Sequence, residues 1–113
     1  LVFPRRYPGW RGGVAGIEPH DDHHVEGAVY ELTDACVVSL DEYEGVDDNH
    51  YRQESITVHR PDGAELRVMT YIATREPGAP FKPSDLYIDV MLEGLRDHGL
   101  SNAWIEMVES LRF

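Results

Sequence analysis

Glu44 is the side chain best placed for proton chemistry. The sequence predicts a helix beginning near Asp34, and successive residues on a helix are turned by about 100°. Val37 and Glu44 then differ by about 20° around the axis, and Leu40 lies about 40° to the other side. Glu44 therefore shares the stripe of Val37 and Leu40, at the C-terminal end of the helix. Partial desolvation there raises a carboxyl pKa, and the negative end of the helix dipole pushes the same way. A raised pKa suits a general acid or base near neutral pH. The same residue also fits a plainer role, a helix-terminal glutamate that reaches solvent.

Three tyrosines are candidates for holding a small polar ligand. Tyr51 opens one strand of a predicted hairpin and Tyr71 lies near the end of the other, so the turn brings the two rings side by side. Tyr87 falls in the first turn of the helix that follows. Converging phenols can hydrogen-bond a ligand; the alternative is aromatic packing at a sheet edge. His20, Asp21, Asp22, His23 and His24 mix imidazole and carboxylate as metal ligands do. They match no established ligand spacing, so a solvated acidic loop is the competing reading and no metal is assigned. Cys36 reads as a helix core residue, without a nearby His or Lys to activate the thiol. Trp10 and Trp104 read as packing. No Ser-His-Asp elbow, P-loop or dinucleotide fingerprint occurs, and Gly12-Gly13 is too short a signal for phosphate binding.

The elements that must position these residues follow from local pattern. Leu1 to Phe3 reads as the end of a strand, Pro4 to Gly13 as a loop, and Val14 to Ile17 as a short strand. Val25 to Leu32 reads as a better strand, with Gly27 marking a bulge or close approach. Thr33 or Asp34 caps a helix running to about Glu44, stopped by Gly45. Tyr51 to Arg60 and Ala64 to Ala73 alternate around Pro61-Asp62-Gly63, a β-hairpin. On the first strand Ile56 and Val58 face away from Ser55 and Thr57, and on the second Leu66, Val68, Thr70 and Ile72 face away from Glu65, Arg67, Met69 and Tyr71. Ser84 caps a helix to about His98 with Tyr87, Val90, Met91 and Gly94 on one face. Ser101 caps a last helix with Trp104, Met107, Val108 and Leu111 on one face. The mixed order implies an α+β fold.

Composition bounds the function. The 113 residues suit one domain with a real core. Ten basic against 21 acidic residues give a net charge of −11, which disfavours nucleic acid and anionic membrane surfaces as partners. No apolar run exceeds four residues, Ala35 to Val38; a membrane helix needs about twenty and a signal peptide about seven or more. One cysteine excludes an internal disulfide and fits a cytoplasmic location.

Several segments together carry a family resemblance. Leu40-Asp41-Glu42-Tyr43-Glu44-Gly45-Val46 followed by Tyr51-Arg52 resembles the L-D-x-x-E-G…Y signature of the γ-glutamylcyclotransferase superfamily, in particular its avirulence-induced-gene-like branch. Trp10-Arg11-Gly12-Gly13-Val14-Ala15 resembles its W-x-G-G-x-A segment, and Val25-Glu26-Gly27-Ala28-Val29-Tyr30 its V-x-G-x-x-Y strand. Lys82-Pro83-Ser84-Asp85-Leu86-Tyr87 resembles its P-S-x-x-Y segment, with Gly94 and Leu100 following in place. The resemblance runs from Trp10 onward. It implies a small mixed β-barrel, closed or nearly closed, with flanking helices. The implied reaction is an intramolecular cyclisation of a γ-glutamyl amino acid or amine to 5-oxoproline, needing no cofactor. Glu44 would be the general acid/base, and Tyr51, Tyr71 and Tyr87 would line or border the substrate cavity. The family's N-terminal strand ends in a Y-G-S or Y-G-T loop whose amides hold the substrate and the developing oxyanion. This sequence has no such segment and begins with Leu1, so the expectation is a single γ-glutamylcyclotransferase-like domain over 1–113, truncated at its N-terminus. The competing reading is a catalytically inactive ligand-binding or interaction module on the same fold. The oligomeric state is open.

Overall fold

The computed structural model, which describes residues 1–44 and 49–112, has the expected mixed helix and sheet content, in runs of strands followed by helices. The elements are β1 (Val2–Tyr7), a 3-10 turn (Pro8–Trp10), β2 (Gly12–Gly16), α1 (Asp34–Glu44), β3 (Tyr51–His59), β4 (Glu65–Ala73), α2 (Asp85–Asp97) and α3 (Asn102–Glu109). The strands pair two by two, β1 with β2 and β3 with β4, both antiparallel. Among the described residues they close no barrel. The chain divides into two compact units, one of residues 1–28 with 75–113 and the other of residues 29–74. No helix among the described residues is long and apolar enough to cross a membrane.

In the first unit the strand runs further than local pattern predicts. Pro4 to Tyr7 belong to β1 rather than to a loop. The register steps from Val2↔Gly16 to Arg5↔Val14, so β1 carries one extra residue across a bulge at Phe3 and Pro4. A bulge tolerates proline, whose missing N–H then costs no ladder bond. The outer edge of β1 is covered as well: the Pro4 and Phe3 carbonyls accept from Glu76 N–H (2.9 Å) and Phe81 N–H (3.0 Å).

The core of this unit is Ile88, Leu92, Trp104 and Val108, with Met91, Leu95, Met107 and Leu111 packed against it. The α3 face is the expected one. The α2 face is shifted: Ile88, Met91, Leu92 and Leu95 turn inward, while Val90 is 47% exposed. The period was right and the phase wrong, because Tyr87 lies at the flank of the stripe. Ser84 and Ser101 cap their helices as expected, accepting from Tyr87 N–H and Trp104 N–H at 3.2 Å each.

Val25 to Leu32 forms no strand. Its β-formers find no partner edge among the described residues; Val29 is 57% and Tyr30 64% exposed. Glu26 is engaged elsewhere, accepting from Ser101 N–H (2.9 Å) and Ser101 Oγ (2.5 Å) at the start of α3. These bonds hold its carboxyl below the ordinary value. A depressed carboxyl stabilises the fold above its unfolded pKa, and that contribution is lost as pH falls through the folded pKa. Glu26→Gln is therefore expected to lower the melting temperature at pH 7 and to narrow its gap from the wild type on acidification, a pair of thermal melts deciding the matter.

In the second unit α1 begins where expected. Thr33 caps it: Cys36 N–H donates to Thr33 Oγ1 (3.1 Å) and Val37 N–H to the Thr33 carbonyl (3.1 Å). The expected stop, Gly45, lies outside the described residues. The hairpin is regular from Tyr51↔Ala73 to His59↔Glu65. Its turn is held by Arg60 N–H to the Ala64 carbonyl (2.8 Å) and by Ala64 N–H to Asp62 Oδ1 (2.9 Å). Gly63 supplies the positive φ of 88° that the turn needs.

Candidate active site

The second unit brings three of the four expected site residues onto one helix and one hairpin face. Cross-strand partners and residues two apart share a side of a sheet. The register therefore puts Tyr51, Gln53, Tyr71 and Ala73 on one face of the hairpin. Tyr51 and Tyr71 sit diagonally, half-buried at the open end.

The last turns of α1 dock on this face through Asp41. Tyr71 OH donates to Asp41 Oδ1 at 2.6 Å, and Gln53 Nε2 donates to the same oxygen at 2.5 Å. Glu44 follows Asp41 by three residues, on the same side of the helix. It is half-buried together with Val37 and Leu40, as their shared stripe requires. Burial pushes its carboxyl above the ordinary value. The Tyr71 phenol is pushed up to about 12, first by desolvation, then by its hydrogen bond to Asp41; the charges of Asp41 and Glu44 add to the rise, while the hydrogen bond of Gln53 opposes it. The site thus holds a proton acceptor beside a phenol that stays protonated and can donate throughout the physiological range.

Asp41 and Gln53 were missed by sequence reasoning. The available signal for Asp41 was its place three residues before Glu44. Nothing local marks Gln53; only the register, once known, sets it opposite Tyr71. In a spectrophotometric pH titration, one tyrosine is expected to ionise at about 12 and to vanish from the titration in Tyr71→Phe. Asp41→Asn should bring that value part of the way down, since desolvation remains.

Tyr87 belongs to the first unit. Its hydroxyl accepts from Ala15 N–H at 2.8 Å, and its ring meets Trp10 edge-on (5.2 Å between centroids) and Phe3 (6.5 Å). Around it the two segments carrying Trp10 to Ala15 and Lys82 to Tyr87 brace each other. Gly13 N–H donates to the Lys82 carbonyl (2.8 Å), and Ser84 Oγ donates to the Trp10 carbonyl (2.5 Å). Gly12 and Gly13 are needed for this close approach. A Cβ on Gly13 would stand 2.4 Å from the Phe81 carbonyl oxygen.

Cys36 is exposed on α1 rather than in a core, because it falls in the first turn, where its N–H donates to the capping Thr33. The histidine segment is solvent-facing. His20 and His23 rings stand edge-on at 4.2 Å, His20 Nδ1 accepts from Asp22 N–H, and His24 stacks on Trp104. Among the described residues, no three His, Cys, Asp or Glu side chains converge as a metal site would require.

With this geometry in view, the comparisons with known proteins are consistent. Residues 24–108 match the model of the AIG2-like family, and the chain belongs to that family. The γ-glutamylcyclotransferase of Mus musculus is 31% identical over 102 residues, covering 90% of this chain and 53% of that protein. The γ-glutamylcyclotransferase of Homo sapiens is 29% identical with the same coverage. The chain thus spans about half the length of the curated relatives it matches. A solved γ-glutamyl cyclotransferase superposes with a TM-score of 0.89 at 25% identity, covering 96% of this chain and 65% of that one. The crystal structure of a human protein described as uncharacterised superposes equally well, at 26% identity and the same coverage.

Proposed function

We propose that this chain is a γ-glutamylcyclotransferase-type domain that cyclises a γ-glutamyl amino acid or amine to 5-oxoproline. The observation that carries this reading is Glu44: a half-buried carboxyl at the end of α1, raised in pKa by burial and acting electrostatically on Tyr71. The α-amine of the substrate attacks its own γ-carbonyl carbon. A nitrogen–carbon bond closes the lactam, and the bond to the leaving nitrogen breaks. The α-ammonium group, with a reference pKa near 8, gives up two protons in all and the leaving nitrogen gains two. Glu44 takes and returns them as general base and then general acid. Tyr51 and Tyr71 line the substrate cavity, and the curled pose supplies orientation without a cofactor.

In this proposal residues 1–113 act as one γ-glutamylcyclotransferase-like domain, and the protein works in the cytoplasm on a small γ-glutamyl substrate. The similarity to γ-glutamylcyclotransferases over 90% of the chain supports it. Release of 5-oxoproline from a panel of γ-glutamyl dipeptides and amines tests it, and a folded chain that releases none overturns it for these residues. A second reading on the same fold is a module that binds γ-glutamyl compounds without turning them over. A thermal shift with 5-oxoproline or a γ-glutamyl dipeptide, in the absence of product formation, would select it.

A further inference from the structure

Asp41 is held from two sides by one rung of the hairpin. Gln53 and Tyr71 are direct partners across β3 and β4, and both donate to the same oxygen, Asp41 Oδ1. Asp41 sits in the last turn of α1. The helix buries no side chain completely and carries no basic residue in that turn to meet its negative end. Two hydrogen bonds on one carboxyl oxygen make a fixed joint between α1 and the hairpin. Tyr71 was already a candidate site residue; Gln53 belongs to none of the segments that carry the family resemblance.

We infer that Gln53 is a positioning residue: with Tyr71 it clamps Asp41, and so fixes the last turn of α1, and Glu44 with it, against the hairpin face. The consequence for turnover rests on the proposed role of Glu44; the clamp itself does not. Displacing a reacting group by about 1 Å can cost as much as a hundredfold in rate. Gln53 is exposed, so its replacement leaves packing intact.

The test compares the wild-type chain with Gln53→Leu, Gln53→Glu and Glu44→Gln by amide hydrogen exchange and by turnover of a γ-glutamyl dipeptide. In Gln53→Leu, exchange protection over residues 41–44 is expected to fall about tenfold while the strands keep theirs. In the same variant kcat is expected to fall about tenfold, with KM changed less than about twofold. In Gln53→Glu the introduced carboxylate repels Asp41 at pH 8, and protection drops. As pH falls and the two carboxyls come to share a proton, the neutral one donates again and protection returns towards the wild-type level. Unchanged protection over 41–44 in Gln53→Leu overturns the clamp, whatever turnover does. Unchanged kcat in Gln53→Leu, beside an inactive Glu44→Gln, overturns the positioning role alone. Full activity in Glu44→Gln overturns the proposed acid/base instead, with the exchange data still deciding whether the clamp exists.

Discussion

Replacing Glu44 with glutamine is expected to lower the rate of 5-oxoproline release by about 10²- to 10⁴-fold, the usual contribution of a positioned acid or base. Glutamine keeps the shape of the side chain and removes its capacity to take a proton. The substrate's α-amine is mostly protonated near neutral pH, so without an acceptor the attacking form is scarce. A second effect runs in the opposite direction. Burial raises the Glu44 carboxyl, which means that the ionised form costs the folded state stability. That cost is present above the folded pKa and disappears as pH falls through it. Glu44→Gln should therefore melt slightly higher than the wild type at pH 7, with the difference closing in acid. Measured kcat and paired melts check both effects. The acid limb of the wild-type rate profile should lie above the ordinary carboxylate range; a limb at the ordinary value, or a variant with full activity, would remove Glu44 from the reaction.

The second large effect concerns stability. Gly13→Ala is expected to destabilise the first unit by about 3 kcal/mol, the upper end for overpacking. The added Cβ would stand 2.4 Å from the Phe81 carbonyl oxygen and 2.9 Å from its carbon. Both are backbone atoms, so no side chain can swing aside to make room. The segment at Phe81 and Lys82 would have to move, and with it the bonds from Gly13 N–H to the Lys82 carbonyl and from Phe81 N–H to the Phe3 carbonyl. Gly9→Ala is the control, because a Cβ there meets nothing within 4 Å; a surface change of that kind shifts stability by about 0.5 kcal/mol at most. Denaturant midpoints of the two variants, read against the wild type, measure the contrast. Equal midpoints would mean that the close approach carries no constraint.

Much of the fold was legible in the sequence where the deciding chemistry is local. Thr33, Ser84 and Ser101 announce their helices because a cap is a bond to an amide only a turn away. Pro61-Asp62-Gly63 sets the register of the hairpin, and the register then assigns every side chain on both strands to a face. That is why Tyr51 and Tyr71 could be placed together beforehand. Reasoning failed where the deciding partner is distant. Val25 to Leu32 has the composition of a strand, but a strand exists only beside another, and Glu26 is committed to Ser101, 75 residues away. Pro4 looked like a strand breaker until a bulge made its missing N–H harmless. At the candidate site, the half-burial of Glu44 was legible from its helical stripe. The pairing of Asp41 with Gln53 and Tyr71 was not, because a helix and a hairpin must first be docked for it to exist.

The hairpin has a further use that follows from its length. The candidate site occupies the open end, at the Tyr51↔Ala73 and Gln53↔Tyr71 pairs, and the turn closes the other end beyond His59↔Glu65. Six residues separate Gln53 from His59, a span of about 20 Å at the rise of an antiparallel strand. The tip at Asp62 and Gly63 is exposed and, among the described residues, held by its own local bonds. It is therefore a handle: a fluorophore or a short epitope grafted there would report on the protein, or tether it to a surface, with the reacting groups left untouched at the far end.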